Sequence, residues 1–123
     1  MQSQFQYRNN ELYCDDVAVS EIVATVGSPV YVYSKTAFVN RYRDIRDSFA
    51  GVEHITAYSV KTNANLSLMK AVKDEGCGFD IVSGGELFRA LTIGADPKKI
   101  IYAGVGKTRS EERRVGKECR SRW

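Results

Sequence analysis

Hydrophobic and polar positions along residues 30–103 switch repeatedly between two periods. Val30-Tyr31-Val32-Tyr33 is a β-rich run behind the turn signal Gly27-Ser28-Pro29 and predicts a strand. From Thr36 to Phe49 the apolar positions Phe38, Tyr42, Ile45 and Phe49 recur at spacings of 4, 3 and 4, the stripe of an amphipathic helix. Ser34 stands where it can cap that helix, and Gly51 stops it. Ile55–Val60 reads as the next strand. Leu66, Met69 and Val72 mark a second helix ended by Gly76, and Phe79–Val82 a third strand. Glu86–Ile93 reads as a third helix, closed by Gly94 and Asp96-Pro97, and Ile100–Ala103 as a fourth strand.

The predicted order is β-α-β-α-β-α-β, which implies an α/β fold with parallel strands joined by right-handed crossovers. Two architectures fit: a doubly wound sheet and a (β/α)8 barrel. A barrel needs roughly 250 residues, so residues 1–108 would supply about its first four strands. A parallel sheet cut there leaves an open edge and a half-covered core, so the body reads as a truncated piece of a longer domain. Residues 1–29 are less regular. Phe5 and Tyr7 alternate with polar neighbours as in a short strand, Leu12–Asp16 suits a turn or hairpin, and Val19–Val26 one or two helical turns.

Composition narrows the class. The apolar share is 43% and the charged share 27%, which suits a globular domain and excludes a disordered or collagen-like chain. No run approaches the 18 or so apolar residues of a membrane span, and the start lacks the basic and apolar regions of a secretory signal. Three cysteines (Cys14, Cys77, Cys119) without C-x-x-C spacing fit a reducing, cytoplasmic setting. The net charge is +3, yet residues 1–108 carry 12 basic and 12 acidic side chains. The whole excess lies in residues 109–123, RSEERRVGKECRSRW, where six basic residues face three acidic ones and no period can be drawn. This basic tail has three readings: a phosphate-binding arm, a solvated extension, or a non-native run, since it resembles the translation of a sequencing adapter. The third is preferred, and the tail is set aside from the fold.

Two places carry candidate chemistry. Lys61 ends the second predicted strand in Tyr58-Ser59-Val60-Lys61-Thr62-Asn63, and strand alternation puts it on the face of Ser59 and Ala57. The small residues below it leave room for a flat ligand at the C-terminal strand end, where parallel barrels place their sites. A desolvated lysine there suits imine chemistry with a carbonyl cofactor; a lysine that snorkels to solvent at a strand end is the competing reading. The second place is Phe79-Asp80-Ile81-Val82-Ser83-Gly84-Gly85-Glu86-Leu87. Ser83-x-x-Glu86 is a capping box. Gly84 and Gly85 are poor helix formers, which suggests a close backbone approach to a ligand or a neighbouring strand. Asp80 is placed either to hold Lys61 or its imine or to accept from backbone N–H groups.

Y-S-V-K-T-N followed at this separation by F-D-I-V-S-G-G-E-L resembles the alanine-racemase-like (fold type III) decarboxylases that use pyridoxal 5′-phosphate. The similarity extends over nearly all of residues 1–108, including G-S-P-V-Y-V-Y-S and I-I-Y-A-G-V-G-K-T. The resemblance implies a partial TIM-type barrel over residues 30–108. It implies an N-terminal segment, 1–29, that packs on a C-terminal β-domain beyond this sequence. It makes Lys61 the residue that carries pyridoxal phosphate as an imine, with Asp80 the third-strand aspartate beside it. The wording is nearest to the branch that removes the carboxylate from the D-centre of meso-2,6-diaminopimelate, giving L-lysine and carbon dioxide in lysine biosynthesis. The partners implied are a small amino-acid substrate and a second copy of the parent chain, with no nucleic acid and no membrane. The glycine-rich phosphate loop, the carboxylate for the pyridine nitrogen and the substrate-binding arginine of such a site are not in residues 1–108, so the piece alone is expected to be inactive. Two departures stand out: Ser59 replaces the usual alanine, and Thr62 replaces a small residue. Ornithine or arginine decarboxylation, a non-catalytic pyridoxal-phosphate barrel, and a nucleic-acid-binding tail remain as alternatives.

Other signals lead nowhere. Gly106-Lys107-Thr108 lacks the first glycine of a P-loop, since Ile101 stands in its place. His54 is the only histidine, which argues against a histidine metal site or a Ser-His-Asp triad and for a packing role at a strand start. Cys77 is read as a loop cysteine and Cys14 as a small buried hydrophobe.

Overall fold

A computed structural model describes residues 4–103; the basic tail with Cys119, and the Gly106-Lys107-Thr108 loop, lie outside the described residues. The chain divides between Arg41 and Tyr42 into two compact units.

The first unit is an antiparallel meander. Strands β1 (Phe5–Arg8), β2 (Glu11–Cys14) and β3 (Val17–Ala18) lie side by side in chain order. Arg8 pairs with Glu11 across a two-residue loop, Asn9-Asn10, in which both residues have positive φ (51 and 65°). Asparagine tolerates that conformation, and the left-handed pair matches the twist of the strands. The expected hairpin at Leu12–Asp16 is therefore shifted: β2 runs through Cys14, and the turn is Asp15-Asp16. Helix α1 (Val19–Val26) leaves β3 without a loop and stops at Gly27, whose φ is +83°. Ser34 caps α2 (Lys35–Ser48) as expected. Its Oγ accepts from the Ala37 N–H at 2.9 Å and donates to Asp15 Oδ1 at 2.8 Å. Cys14 and Ala18 are buried, as the sequence predicts for Cys14.

The predicted strand Val30–Tyr33 is not one in the structure: among the described residues it joins no ladder, and Tyr31 is 90% exposed. A β-rich run becomes a strand only when a neighbour takes up its backbone groups, and no sheet strand does so here.

The second unit holds a parallel sheet, β4 (Ala57–Ser59), β5 (Gly78–Ile81) and β6 (Ile100–Tyr102), in the order β4-β5-β6. Helices α3 (Leu66–Lys73) and α4 (Gly84–Thr92) connect consecutive strands, and a 3-10 turn, Pro97–Lys99, leads into β6. Neighbours in space are neighbours in sequence, with none of the order reversal of a doubly wound sheet. The central strand is the most buried: Phe79 and Ile81 are fully enclosed with Met69, Val72, Leu87, Ala90 and Ile100. Met69 and Val72 belong to the apolar stripe the sequence predicts for α3, whereas Leu66 of that stripe is 37% exposed.

Both helices start on designed caps. Asn65 Oδ1 accepts from the N–H groups of Ser67 (2.9 Å) and Leu68 (3.4 Å). Ser83 Oγ accepts from the Glu86 N–H, and Glu86 Oε2 reaches back to the Val82 N–H at 2.7 Å. The capping box thus forms one residue wider than its usual reciprocal pair. The cap at Ser83 starts α4 at Gly84 rather than at Glu86; the two glycines occupy the first turn, where backbone N–H groups lack helical partners anyway. Away from the sheet, Arg43 grips Glu75 with two hydrogen bonds (2.9 and 2.6 Å).

Gly78 opens β5 one residue earlier than expected. A Cβ there would lie 2.5 Å from the Lys99 carbonyl oxygen and 2.9 Å from Ile55 Cγ2. Only glycine allows that approach of two backbones. Gly78→Ala is expected to destabilise the chain by about 1–3 kcal/mol, read as a lowered denaturant midpoint with an unchanged slope. Cys77, also enclosed, has its thiol pushed up from an ordinary 9.0 to about 11, chiefly by burial. Between those values the unfolded chain releases a proton that the folded chain keeps, so stability falls as pH rises. Urea melts from pH 8 to 11 should show that fall, and Cys77→Ala should flatten it.

Candidate active site

The C-terminal ends of the parallel strands gather the residues that the sequence marks for chemistry. Strand β4 ends at Ser59, and Val60–Thr62 forms a 3-10 turn that carries Lys61. The period of two therefore stops before Lys61, and its side chain is exposed rather than interior. Val60, by contrast, is fully buried and pins the turn to the core.

The turn is braced by the two residues before it and the three after it. Thr62 Oγ1 lies 2.7 Å from the Ser59 carbonyl oxygen and 3.0 Å from the Tyr58 hydroxyl oxygen. It has one proton for the two. The Tyr58 hydroxyl donates to the Asn63 carbonyl oxygen at 3.0 Å, while its ring meets Phe79 edge-on with centroids 6.5 Å apart. Asn63 Oδ1 accepts from the Asn65 N–H at 3.0 Å, and Arg89 of α4 donates to the Ala64 carbonyl oxygen at 3.2 Å. The backbone under Lys61 is thus held from β4, from α4 and from the start of α3, while the lysine head is left in the open.

Asp80 lies in β5, directly opposite Ser59 in the parallel register. Ser59 Oγ donates to Asp80 Oδ2 at 2.7 Å. The other oxygen, Oδ1, is buried and has no hydrogen-bond partner among the described residues. Lys61 and Asp80 form no ion pair among the described residues; the Asp80 carboxylate is held by Ser59. The reason is local. The register sets Ser59 beside Asp80, whereas the 3-10 turn carries Lys61 out of the ladder.

Gly85 has an open side. A Cβ there would meet nothing nearer than Ser83 Oγ at 3.8 Å, so no neighbouring strand requires glycine at that place. His54 departs from expectation in lying before β4, exposed, with its ring 5.5 Å from that of Phe49 and Nδ1 2.8 Å from the Val52 carbonyl oxygen. Among the described residues no group of histidine, cysteine, aspartate and glutamate side chains could hold a metal ion. No helix among them is long and apolar enough to cross a membrane. Sequence reasoning missed the roles of Tyr58, Arg89 and Ser59. Arg89 and Tyr58 carried no usable signal, but Ser59 did, as a hydroxyl two residues before Lys61.

Residues 35–120 match the family described as "Pyridoxal-dependent decarboxylase, pyridoxal binding domain", a span that runs into the basic tail. The chain is 45% identical over 118 residues to diaminopimelate decarboxylase of Pseudomonas aeruginosa, covering 94% of this chain and 28% of that one. The crystal structure of diaminopimelate decarboxylase from M. jannaschii superposes with a TM-score of 0.76 at 32% identity, over 88% of this chain and 26% of that one. The arginine decarboxylase of Paramecium bursaria Chlorella virus superposes less closely, at 0.64 and 26%, over 81% of this chain and 27% of that one. The chain thus spans little more than a quarter of the length of these relatives. With a match over most of its length, and a lysine-bearing turn set beside an aspartate whose one oxygen is buried and unpaired, it belongs to the pyridoxal-dependent decarboxylases, as part of their pyridoxal-binding domain.

Proposed function

We propose that this chain is the N-terminal part of a pyridoxal-phosphate-dependent carboxy-lyase whose parent converts meso-2,6-diaminopimelate to L-lysine and carbon dioxide, as a step of lysine synthesis in the cytoplasm. On this reading residues 30–103 belong to a TIM-type barrel, and the parent works as a homodimer whose C-terminal β-domain covers the N-terminal segment. The observation that carries the proposal is the Asp80 carboxylate. One oxygen is anchored and the other is buried without a donor. An unpaired buried carboxylate oxygen is unfavourable, and a protonated nitrogen of a ligand or of Lys61 would satisfy it. The residues present therefore fit the cofactor.

When bound, pyridoxal phosphate supplies an electron sink for the carbanion left by the departing carboxylate. Lys61 would hold it through Nζ. The exposed head is accessible to an aldehyde, and the braced turn limits where that head can swing. Asp80 would supply the fixed negative charge nearby. The open side of Gly85 leaves space at the start of α4, and the positive end of a helix suits an anionic group. The substrate assignment rests on the relatives: the curated ones are named diaminopimelate decarboxylases at 36–45% identity, while the arginine enzyme superposes less closely.

Two outcomes test this reading. Borohydride reduction of the chain mixed with pyridoxal phosphate should fix the cofactor mainly on Lys61, as read by peptide mass spectrometry. Lys61→Ala should abolish that adduct, and Asp80→Asn should lower its yield several-fold. Labelling spread evenly over the other lysines would sink the assignment. A longer protein carrying this sequence should release carbon dioxide from meso-diaminopimelate at least ten times faster than from arginine or ornithine, on the order of a one-group difference in recognition. The reverse preference would move it to the arginine and ornithine branch.

A further inference from the structure

Ser59 touches both halves of the candidate site. Its hydroxyl donates to Asp80 Oδ2 at 2.7 Å, and its carbonyl oxygen lies 2.7 Å from Thr62 Oγ1 in the turn that carries Lys61. One residue thus joins the aspartate to the lysine turn. The register explains why the serine can do so: Ser59 and Asp80 stand at the same level of adjacent parallel strands, where side chains on one face meet.

The effect on Asp80 follows from its shape. An aspartate is free to turn about a broad terminal torsion. A hydrogen bond to one oxygen removes that freedom and gives the other a fixed direction. The charged side chains of α4 are engaged elsewhere: Glu86 accepts from the Val82 N–H, and Arg89 donates to the Ala64 carbonyl oxygen. Oδ1 is left as the buried acceptor.

We propose that Ser59 is a positioning residue, which locks Asp80 through Oδ2 so that Oδ1 accepts from the protonated nitrogen formed when Lys61 takes up pyridoxal phosphate. The proposal rests on the function proposed above. Lys61 would hold the cofactor through Nζ, and the linked nitrogen would be able to carry a proton. A fixed carboxylate favours the protonated form.

The test follows the absorption of the cofactor bound to the full chain across pH, with the adduct site checked by borohydride trapping. Ser59→Ala should lower the midpoint of the protonated form by about one unit, a typical effect of losing a charge-assisted hydrogen bond. Ser59→Thr, which keeps the hydroxyl, should restore it. In an Asp80→Asn background Ser59→Ala should add no further shift, because the serine acts through the aspartate. Alanine is smaller and fits the space of serine, and circular dichroism checks that the variant keeps the fold. An unchanged midpoint in Ser59→Ala, or an equal shift with Asp80→Asn present, overturns the positioning role alone. A parent chain that takes up no cofactor on Lys61 overturns the functional reading and this inference with it.

Discussion

The parallel pairing of β4 with β5 is the constraint on which the site depends. It sets Ser59 against Asp80, and with that single juxtaposition fixes a carboxylate at the C-terminal edge of the sheet. Parallel strands require crossovers, so this pairing demands α3, as the pairing of β5 with β6 demands α4. Each crossover helix starts at the strand ends on a side-chain cap, Asn65 or Ser83. The caps, the Lys61 turn and the aspartate therefore crowd one end of the sheet for topological reasons. At the opposite end, Gly78 lets β5 run in close beside the Lys99 carbonyl. Packing at one end and polar organisation at the other is the usual division of labour in a parallel α/β sheet.

The helices of the second unit were legible in the sequence because their information is local. Apolar spacing, a cap at one end and glycine at the other specify a helix without reference to the rest of the chain. The parallel strands were legible for a related reason: short apolar runs between such helices have few other ways to be buried. Val30–Tyr33 shows where this stops. Its composition is as β-prone as that of β6, yet a strand is a relation between two segments, and composition names only one of them. The Asn9-Asn10 turn was missed because asparagine is a weaker signal than glycine for positive φ.

For the candidate site, residue identity was legible and connection was not. Lys61 and Asp80 stood out by type and separation. Strand alternation was extended through Lys61 to place it on the face of Ser59, and the 3-10 turn ends that alternation directly after Ser59. The bond from Ser59 to Asp80 depends on register, which no single-strand pattern contains. The bracing of the turn by Arg89 spans 25 residues of sequence and one helix crossover, beyond any local signal.

The half-satisfied aspartate also bears on how the fold behaves while its second oxygen lacks a donor. A buried acceptor left open weakens the folded state, and the weakness disappears when a donor arrives. Anything that fills the place binds the native chain and not the unfolded one, so occupancy and folding become linked by mass action. On the proposed function, cofactor binding and the survival of the polypeptide would draw on the same oxygen atom, and cofactor supply would set how much of the protein persists.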